Sequence, residues 1–404
     1  MPTKKLYQEN VYLKECEQTL VSLEEGNLLK ACFDSTIFFP AGGGQLCDTG
    51  VIAGHKVVDV KEDKETGAIW HFLEKEGESL ETGKSCKASI DWDRRFSHMQ
   101  MHCGEHLISG AFFSLYKAHN KGFHMGDDYV TIDIDWDGKE MSDDMIAEAE
   151  ALANSWIYQD IPVETRWFDT AKEAMSLPCR KEIKAGKDIS VVLIGDEHSP
   201  ADCCACCGTH PSSTGQIGII KIVHREKYKA MNRFYVKCGR QALDDYSNKQ
   251  TILAAISKKN SCDINDLEKT LEAAEAREKE IYRKYSSLKN YYAGIEEEAL
   301  REKLLLPKEK SIRVFSYEQF DLNDLQNIAR KLEKDIKDVT VLVSAKENSC
   351  IIASDGQVNC GNLVKENAPI YGGKGGGKPN LARAIFDSRE KLELYLDLTE
   401  KHLR

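Results

Sequence analysis

HCGEHLISG, residues His102–Gly110, sets two histidines four positions apart. On an α-helix, positions i and i+4 share a face, so both rings point the same way, as two ligands of one tetrahedral zinc must. The same stretch contains H-x-x-E-H, the signature of the inverted zinc peptidases, in which Glu105 would act as base and a downstream acid would complete the metal shell. No later segment offers an obvious acidic ligand of that kind. The surrounding run, DWDRRFSHMQMHCGEHLISGAFFSL, keeps helical spacing, so a helix is expected to carry the pair.

A partner for the pair stands about a hundred residues downstream. Residues 203–210 read CCACCGTH, in which Cys206 and His210 form C-x-x-x-H beside Gly208, a residue that permits a tight turn. The two pieces together offer His102, His106, Cys206 and His210: three imidazoles and a thiolate for Zn2+. Cys203-x-x-Cys206 and Cys204-x-x-Cys207 are each also half of a structural zinc knuckle, but a knuckle needs a second pair, and Cys179 alone does not supply it.

The rest of the chain fits a soluble protein of several domains. Its 404 residues exceed one ordinary core. With 41% hydrophobic and 30% charged residues it has a soluble, globular composition, and no apolar run approaches the roughly 18 residues of a membrane span. The N-terminus lacks the apolar core of a signal peptide, so a cytoplasmic location is expected, where 14 cysteines read as thiols and metal ligands. A net charge of −11 argues against non-specific coating of nucleic acid but leaves room for a local basic surface. Lys221–Arg240 is such a strip, with Lys221, Arg225, Lys227, Lys229, Arg233, Lys237 and Arg240 opposed only by Glu226.

Hydrophobic patterning divides the chain into four parts. Residues 1–90 hold short β-branched and aromatic runs separated by turn residues, which predicts a small β-barrel. Residues 91–241 mix helices and strands around the histidine pair, with MSDDMIAEAEALANSWIYQ as an amphipathic helix and ISVVLIG and GQIGIIKIV as buried strands. Residues 242–309 predict a helical arm, with a heptad-like seam through Ile264, Leu267, Leu271, Ala274, Ile281, Tyr285, Leu288, Tyr292 and Ile295, broken by Glu278. Either a hairpin or a coiled coil satisfies that seam. Residues 310–404 return to α/β.

HCGEHLISG and CCGTHPSSTGQIGIIKI together resemble the paired metal motifs of the alanyl-tRNA editing domain, found within alanyl-tRNA synthetases and in freestanding AlaX proteins. FFPAGGGQLCDTG, Phe38–Gly50, is similar to that family's Gly-rich segment. YGGKGGGKPNLARA, Tyr371–Ala384, resembles the Gly-rich turn of the DHH-associated domain that ends the synthetases and the long AlaX proteins. The four motifs keep the family's order and span most of the chain. No segment corresponds to an amino-acid-activating core, so the resemblance favours a freestanding editor. It implies an α+β multidomain fold: an N-terminal β-barrel, an α+β editing domain of the threonyl/alanyl-tRNA synthetase type, a helical arm and a C-terminal α/β domain. The synthetase motif has Gly where Cys207 stands. The C-x-x-x-H spacing selects Cys206 as the ligand.

The resemblance implies zinc-dependent hydrolysis of the ester in Ser-tRNA(Ala), and of Gly-tRNA(Ala). It places Thr36 near the aminoacyl pocket, bonding the serine hydroxyl. Gln45 is a candidate for substrate contact through its amide, and Glu105 for orienting a ligand or acting as base, set against a solvated position on the helix. Gly42, Gly43 and Gly44 allow backbone N–H groups to approach a ribose-phosphate closely, and Asp48 is expected to cap that turn. Arg233, Lys374 and Lys378 are candidate tRNA contacts. A homodimer through the arm and the C-terminal domain is a further expectation, and no membrane partner is expected. Two other functions use fewer of the motifs: a zinc peptidase built on H-x-x-E-H, and a non-catalytic tRNA-binding protein with structural zinc.

Overall fold

Strands with alternating burial line the first ninety residues. In Ile69–Leu73, Ile69, His71 and Leu73 turn inward while Trp70 and Phe72 are half-buried. A computed structural model describes residues 2–183, 186–307 and 311–403. In it six antiparallel strands close a barrel in the order Glu15–Glu25, Leu29–Phe33, Ile69–Leu73, His55–Glu62, Gly50–Ile52, Ser85–Ile90. Leu20, Phe33, Ile52, Val57, Val60, Ile69 and Leu73 fill it. Closure leaves no exposed strand edge, which suits so short a set of strands.

The helix Trp92–Tyr116 follows at once. Asp91 caps it by accepting from the Arg94 N–H at 3.1 Å, and Lys117 ends it at φ 55. Every residue from His98 to Phe112 is buried, so this is a core helix covered on all sides. Two glycines make that covering possible. A Cβ on Gly104 would stand 2.3 Å from the Cys238 sulfur, and one on Gly110 would stand 2.2 Å from the Ala201 carbonyl oxygen. The strands against the helix belong to two antiparallel sheets. One has the order Ile220–Tyr228, Met231–Cys238, Val130–Asp135, His119–Met125; the other has Val163–Thr170, Lys187–Asp196, Ser199–Ala205. Asp143–Tyr158, capped by Ser142, packs beside the buried helix. The run GQIGIIKIV is not one strand: Thr214–Ile217 is a 3-10 turn and the strand starts at Ile220, because Gly218 takes a left-handed φ of 83.

The basic strip is mostly neutralised. Lys221 pairs with Glu150, Arg225 with Asp143, Arg233 with Asp133, Lys237 with Asp245 and Arg240 with Asp244. Glu150, Asp143 and Asp133 come from elements distant in sequence, which the strip's own composition does not reveal, whereas Asp244 and Asp245 follow the strip directly on the helix Gly239–Asn260.

The chain forms two compact units, Met1–Lys259 and Asn260–Arg404. The division expected at 241/242 falls inside the helix Gly239–Asn260, and the one expected between 309 and 310 lies outside the described residues. In the second unit Leu267–Leu305 is one helix of 39 residues, about 58 Å long. Its later turns pack on the C-terminal domain through Ala293, Leu300 and Leu304, and Lys289 bridges Asp321 and Asp324. Seam residues Leu271, Ile281, Tyr285 and Leu288 are exposed. A five-stranded sheet follows, ordered Arg313–Tyr317, Thr340–Ser344, Ser349–Ala353, Leu381–Ile385, Lys374–Lys378. The KGGGK segment, expected as a turn, is its edge strand. Its glycines let neighbouring backbone lie close: a Cβ on Gly375 would be 2.0 Å from the Arg383 carbonyl oxygen, and one on Gly377 2.3 Å from that of Leu381.

Candidate metal centre

One ligand atom from each of His102, His106, Cys206 and His210 lies within 4.8 Å of the others. The helix supplies the first two. The other two come from the loop after Ser199–Ala205, where Gly208 is required: a Cβ there would stand 2.2 Å from the His102 ring. Cys206 Sγ is 3.2 Å from His102 Nε2 and 3.6 Å from His210 Nε2.

The outer nitrogens fix which inner nitrogen is free. His102 Nδ1–H donates to Gln45 Oε1 at 2.8 Å, and His106 Nδ1–H donates to Asp202 Oδ2 at 2.7 Å. In the neutral tautomers that these bonds select, both Nε2 atoms carry lone pairs toward the cluster, the arrangement in which outer groups orient metal ligands. His106 Nε2 is buried and makes no hydrogen bond, which in a polar site calls for a partner. Burial raises the Cys206 thiol, but His102 and His210 outweigh it and hold the thiol well below its ordinary range. Burial lowers His106, yet the bond to Asp202 and the Cys206 sulfur bring it well above the usual imidazole value. Burial lowers His210 to about 4, against the pull of Cys206. A thiolate among three imidazoles fits zinc, and these four side chains are the ones that would hold it.

Around this set the structure corrects several expectations. Glu105 is not a solvated helix residue. Three residues from His102 is only about 60° away around the axis, and Glu105 is 4% exposed. Its Oε1 accepts from the Ser109 hydroxyl at 2.6 Å and from the Asn120 amide, with Arg180 3.6 Å away. Gln45 is 2% exposed, and its amide is committed within the protein: Oε1 to His102 and the Thr209 N–H, Nε2 to the Thr209 hydroxyl at 2.8 Å. It positions His102. Thr36 is fully buried on the short strand Ser35–Thr36, outside the six barrel strands, and its hydroxyl donates to His71 Nε2 at 2.8 Å and accepts from the Phe38 N–H at 3.1 Å. Asp48 does close its turn, by accepting from the Phe39 N–H at 2.6 Å, and it also forms a fully buried ion pair with Arg95. That pair ties the Gly-rich loop to the metal helix.

A cavity of about 270 Å³ opens beside the metal set. Gly43 and Gly44, His102, Glu105, His106, Asn120, Lys121, Arg180, Lys181 and Cys206 line it. Gly44 has a φ of 85, and a Cβ on it would stand 2.4 Å from the Phe123 ring. Gly42 and Thr36 are outside this lining. Arg233 is bound to Asp133 by two bonds of 2.7 and 2.8 Å, lies over Tyr228 and is outside the cavity lining. Lys374 and Lys378 belong to the second unit, where Lys378 lines a separate cavity of about 470 Å³ with Arg330, Arg383 and Gly376. Sequence reasoning missed Asp202 and Arg180. Arg180 Nε donates to Asp202 Oδ1 at 2.5 Å, so Asp202 links the guanidinium to His106. An H-x-x-E-H peptidase needs an acid in the metal shell. The cluster contains none, and Asp202 faces the outer nitrogen of His106.

Comparison with known proteins agrees with this architecture. Residues 4–94 match the tRNA synthetases class II (A) family, residues 189–235 the Threonyl and Alanyl tRNA synthetase second additional domain, and residues 310–404 the DHHA1 domain. This is a protein built of synthetase-type domains. The alanyl-tRNA editing protein AlaX-L of Pyrococcus horikoshii is 30% identical over 99% of both chains. The alanine–tRNA ligase of Pyrococcus abyssi is 30% identical over 98% of this chain but only 44% of its own length, and that of Methanoregula boonei is 27% identical over 100% of this chain and 43% of its own. The chain belongs to the AlaX-L family of alanyl-tRNA editing proteins.

Proposed function

We propose that the protein is an aminoacyl-tRNA deacylase that hydrolyses mischarged tRNA(Ala), chiefly Ser-tRNA(Ala) and also Gly-tRNA(Ala). The observation that carries this reading is the four-donor set His102, His106, Cys206 and His210, of which His102, His106 and Cys206 line a cavity large enough for an aminoacyl group, in a chain that aligns end to end with an AlaX-L protein. A pocket that charges alanine cannot strongly exclude glycine, and a single extra hydroxyl is poorly rejected, so a second hydrolytic site is the chemical remedy.

Water attacks the ester carbonyl carbon, the bond to the ribose oxygen breaks, and the water's proton ends on that oxygen. His102, His106, Cys206 and His210 would hold a zinc ion, which would supply localised positive charge to the reaction. The chain's own groups do the rest. Gln45 and Asp202 hold the rings of His102 and His106 in one tautomer. Lys121, Arg180 and Lys181 give the cavity a cationic side suited to the anionic 3′ end of tRNA. Four protein donors fill a tetrahedral shell, so we assign the set to anchoring and charge stabilisation. Asn120 lines the cavity, and its buried Oδ1, which makes no hydrogen bond, is the acceptor available to a serine hydroxyl. Leaving such a group unpaired penalises alanine.

In the second unit, Lys378, Arg330 and Arg383 form a basic cavity that we assign to tRNA phosphate, with Lys374 beside it. The exposed seam residues Leu271, Ile281 and Leu288 are assigned to a second copy of the chain, and sedimentation of an Ile281→Glu variant as a monomer would support that. The expected compartment is the cytoplasm, and among the described residues no helix is long and apolar enough to cross a membrane. The test is deacylation of Ser-, Gly- and Ala-tRNA(Ala), with casein alongside and zinc measured on the same sample. His106→Ala is expected to abolish deacylation. Full activity of that variant without bound metal overturns the reading, and casein cleavage replaces it with a peptidase.

A further inference from the structure

Cys206 belongs to the metal set, but two other thiols lie close to the same cavity wall. Cys179 Sγ stands 3.2 Å from Cys203 Sγ. Cys203 is 2% exposed, whereas Cys179 is half-buried and within reach of solvent. Both pack with Ala174, Leu177, Ile183 and Val191. The backbones beside them are already joined, since the Arg180 N–H donates to the Cys203 carbonyl at 2.9 Å. Their sequence neighbours, Arg180 and Asp202, are the pair that holds His106.

We propose that Cys179 and Cys203 form a reversible dithiol–disulfide couple, an oxidative modification site that fastens the Cys179–Lys181 wall of the cavity to the strand Ser199–Ala205. A disulfide sets its sulfurs about 2.05 Å apart, so the contact has roughly an ångström left to close, a displacement that one side-chain rotation on the more exposed partner supplies. Cys179 is the attacking thiol. It is the accessible member, and its hydrogen bond with Cys203 holds it below the ordinary thiol range despite burial. With hydrogen peroxide as oxidant, Cys179 sulfur takes one peroxide oxygen as the O–O bond breaks, giving a sulfenic acid and one water. The Cys203 sulfur then attacks that sulfur, the S–O bond breaks, the S–S bond forms, and the thiol proton leaves with the oxygen as a second water. Two electrons pass from the thiols to the peroxide. A small dithiol reverses the step by exchange. The couple stands on this geometry whether or not the deacylase reading holds.

The experiment treats the zinc-loaded full chain with hydrogen peroxide, blocks remaining thiols by alkylation, and maps the digest by mass spectrometry. The expected result is a peptide joining Cys179 to Cys203, two hydrogens lighter than the reduced pair and released by dithiothreitol. The thermal midpoint of the oxidised chain rises by roughly 5 °C, and Cys179→Ser and Cys203→Ser each lose both the cross-link and the rise. Cys204→Ser keeps them, and zinc stays bound. Full alkylation of Cys179 and Cys203 after peroxide, or a cross-link from either to Cys206 with loss of zinc, overturns the proposal. Neither outcome touches deacylation of Ser-tRNA(Ala) by the reduced chain, so the two readings fail separately.

Discussion

Replacing Asp202 with Asn tests whether the outer hydrogen bond to His106 governs the metal site. Asp202 is 1% exposed at its side chain, with one oxygen 2.7 Å from His106 Nδ1 and the other 2.5 Å from Arg180 Nε. Burial pushes its carboxyl up, but Arg180 and His106 prevail and keep it below the ordinary carboxylate range. Asparagine keeps the shape and one acceptor. It cannot accept from both neighbours, so one N–H faces an amide NH2. Losing such a second bond to a metal-ligating histidine weakens metal affinity by about 10- to 100-fold, or about 1.4–2.8 kcal/mol. Arg180 loses the charge of its nearest partner and keeps one carboxylate contact, at 3.6 Å to Glu105, and breaking a buried pair adds a folding cost of about 3–5 kcal/mol. Competition against a chromophoric chelator gives the first quantity and urea denaturation of the metal-free protein the second. Zinc affinity within twofold of the parent, in a variant that folds, would refute the reasoning.

Three further outcomes follow from the same contacts. His71 is fully buried, and burial lowers its pKa to about 4 against the Ala31 carbonyl, which raises it. Its folded value lies below the unfolded one near 6.5, so the unfolded chain binds more protons between them. That stability is present above pH 6.5 and is lost as pH falls toward 4, by about 3 kcal/mol in total; urea midpoints at pH 4.5 and 7 should differ less in His71→Gln than in the parent. Asp48→Ala leaves Arg95 charged and unpaired in the core and should cost about 3–5 kcal/mol, read as a drop in the urea midpoint. Lys378→Ala and Arg383→Ala should weaken tRNA binding by similar factors for all aminoacyl groups and lower the salt slope by about one each. Binding isotherms at several salt concentrations measure it.

The parts of this molecule legible in the sequence are those written in local spacing. H-x-x-x-H and C-x-x-x-H each announce a shared direction within a few residues, and the structure does bring the four side chains together. Alternating burial in Ile69–Leu73 and the cap at Ser142 are equally local. What spacing does not carry is the identity of a partner on another element. Glu105 looks like a surface residue until Asn120 and Arg180 arrive from other segments. Gln45 and Thr36 look free to meet a substrate until Thr209 and His71 occupy them. The basic strip reads as a surface charge because Glu150, Asp143 and Asp133 lie elsewhere in the sequence. The KGGGK segment reads as a turn because glycine signals both a bend and a close backbone approach, and only packing distinguishes the two.

The wide separation of the metal donors has a consequence for how the chain is made. At about 5–20 residues per second, the ribosome releases His102 and His106 roughly 5–20 seconds before Cys206 and His210 appear. During that interval a buried-to-be helix carries two imidazoles whose remaining companions do not yet exist, so an ion that needs all four donors would be captured late in biosynthesis.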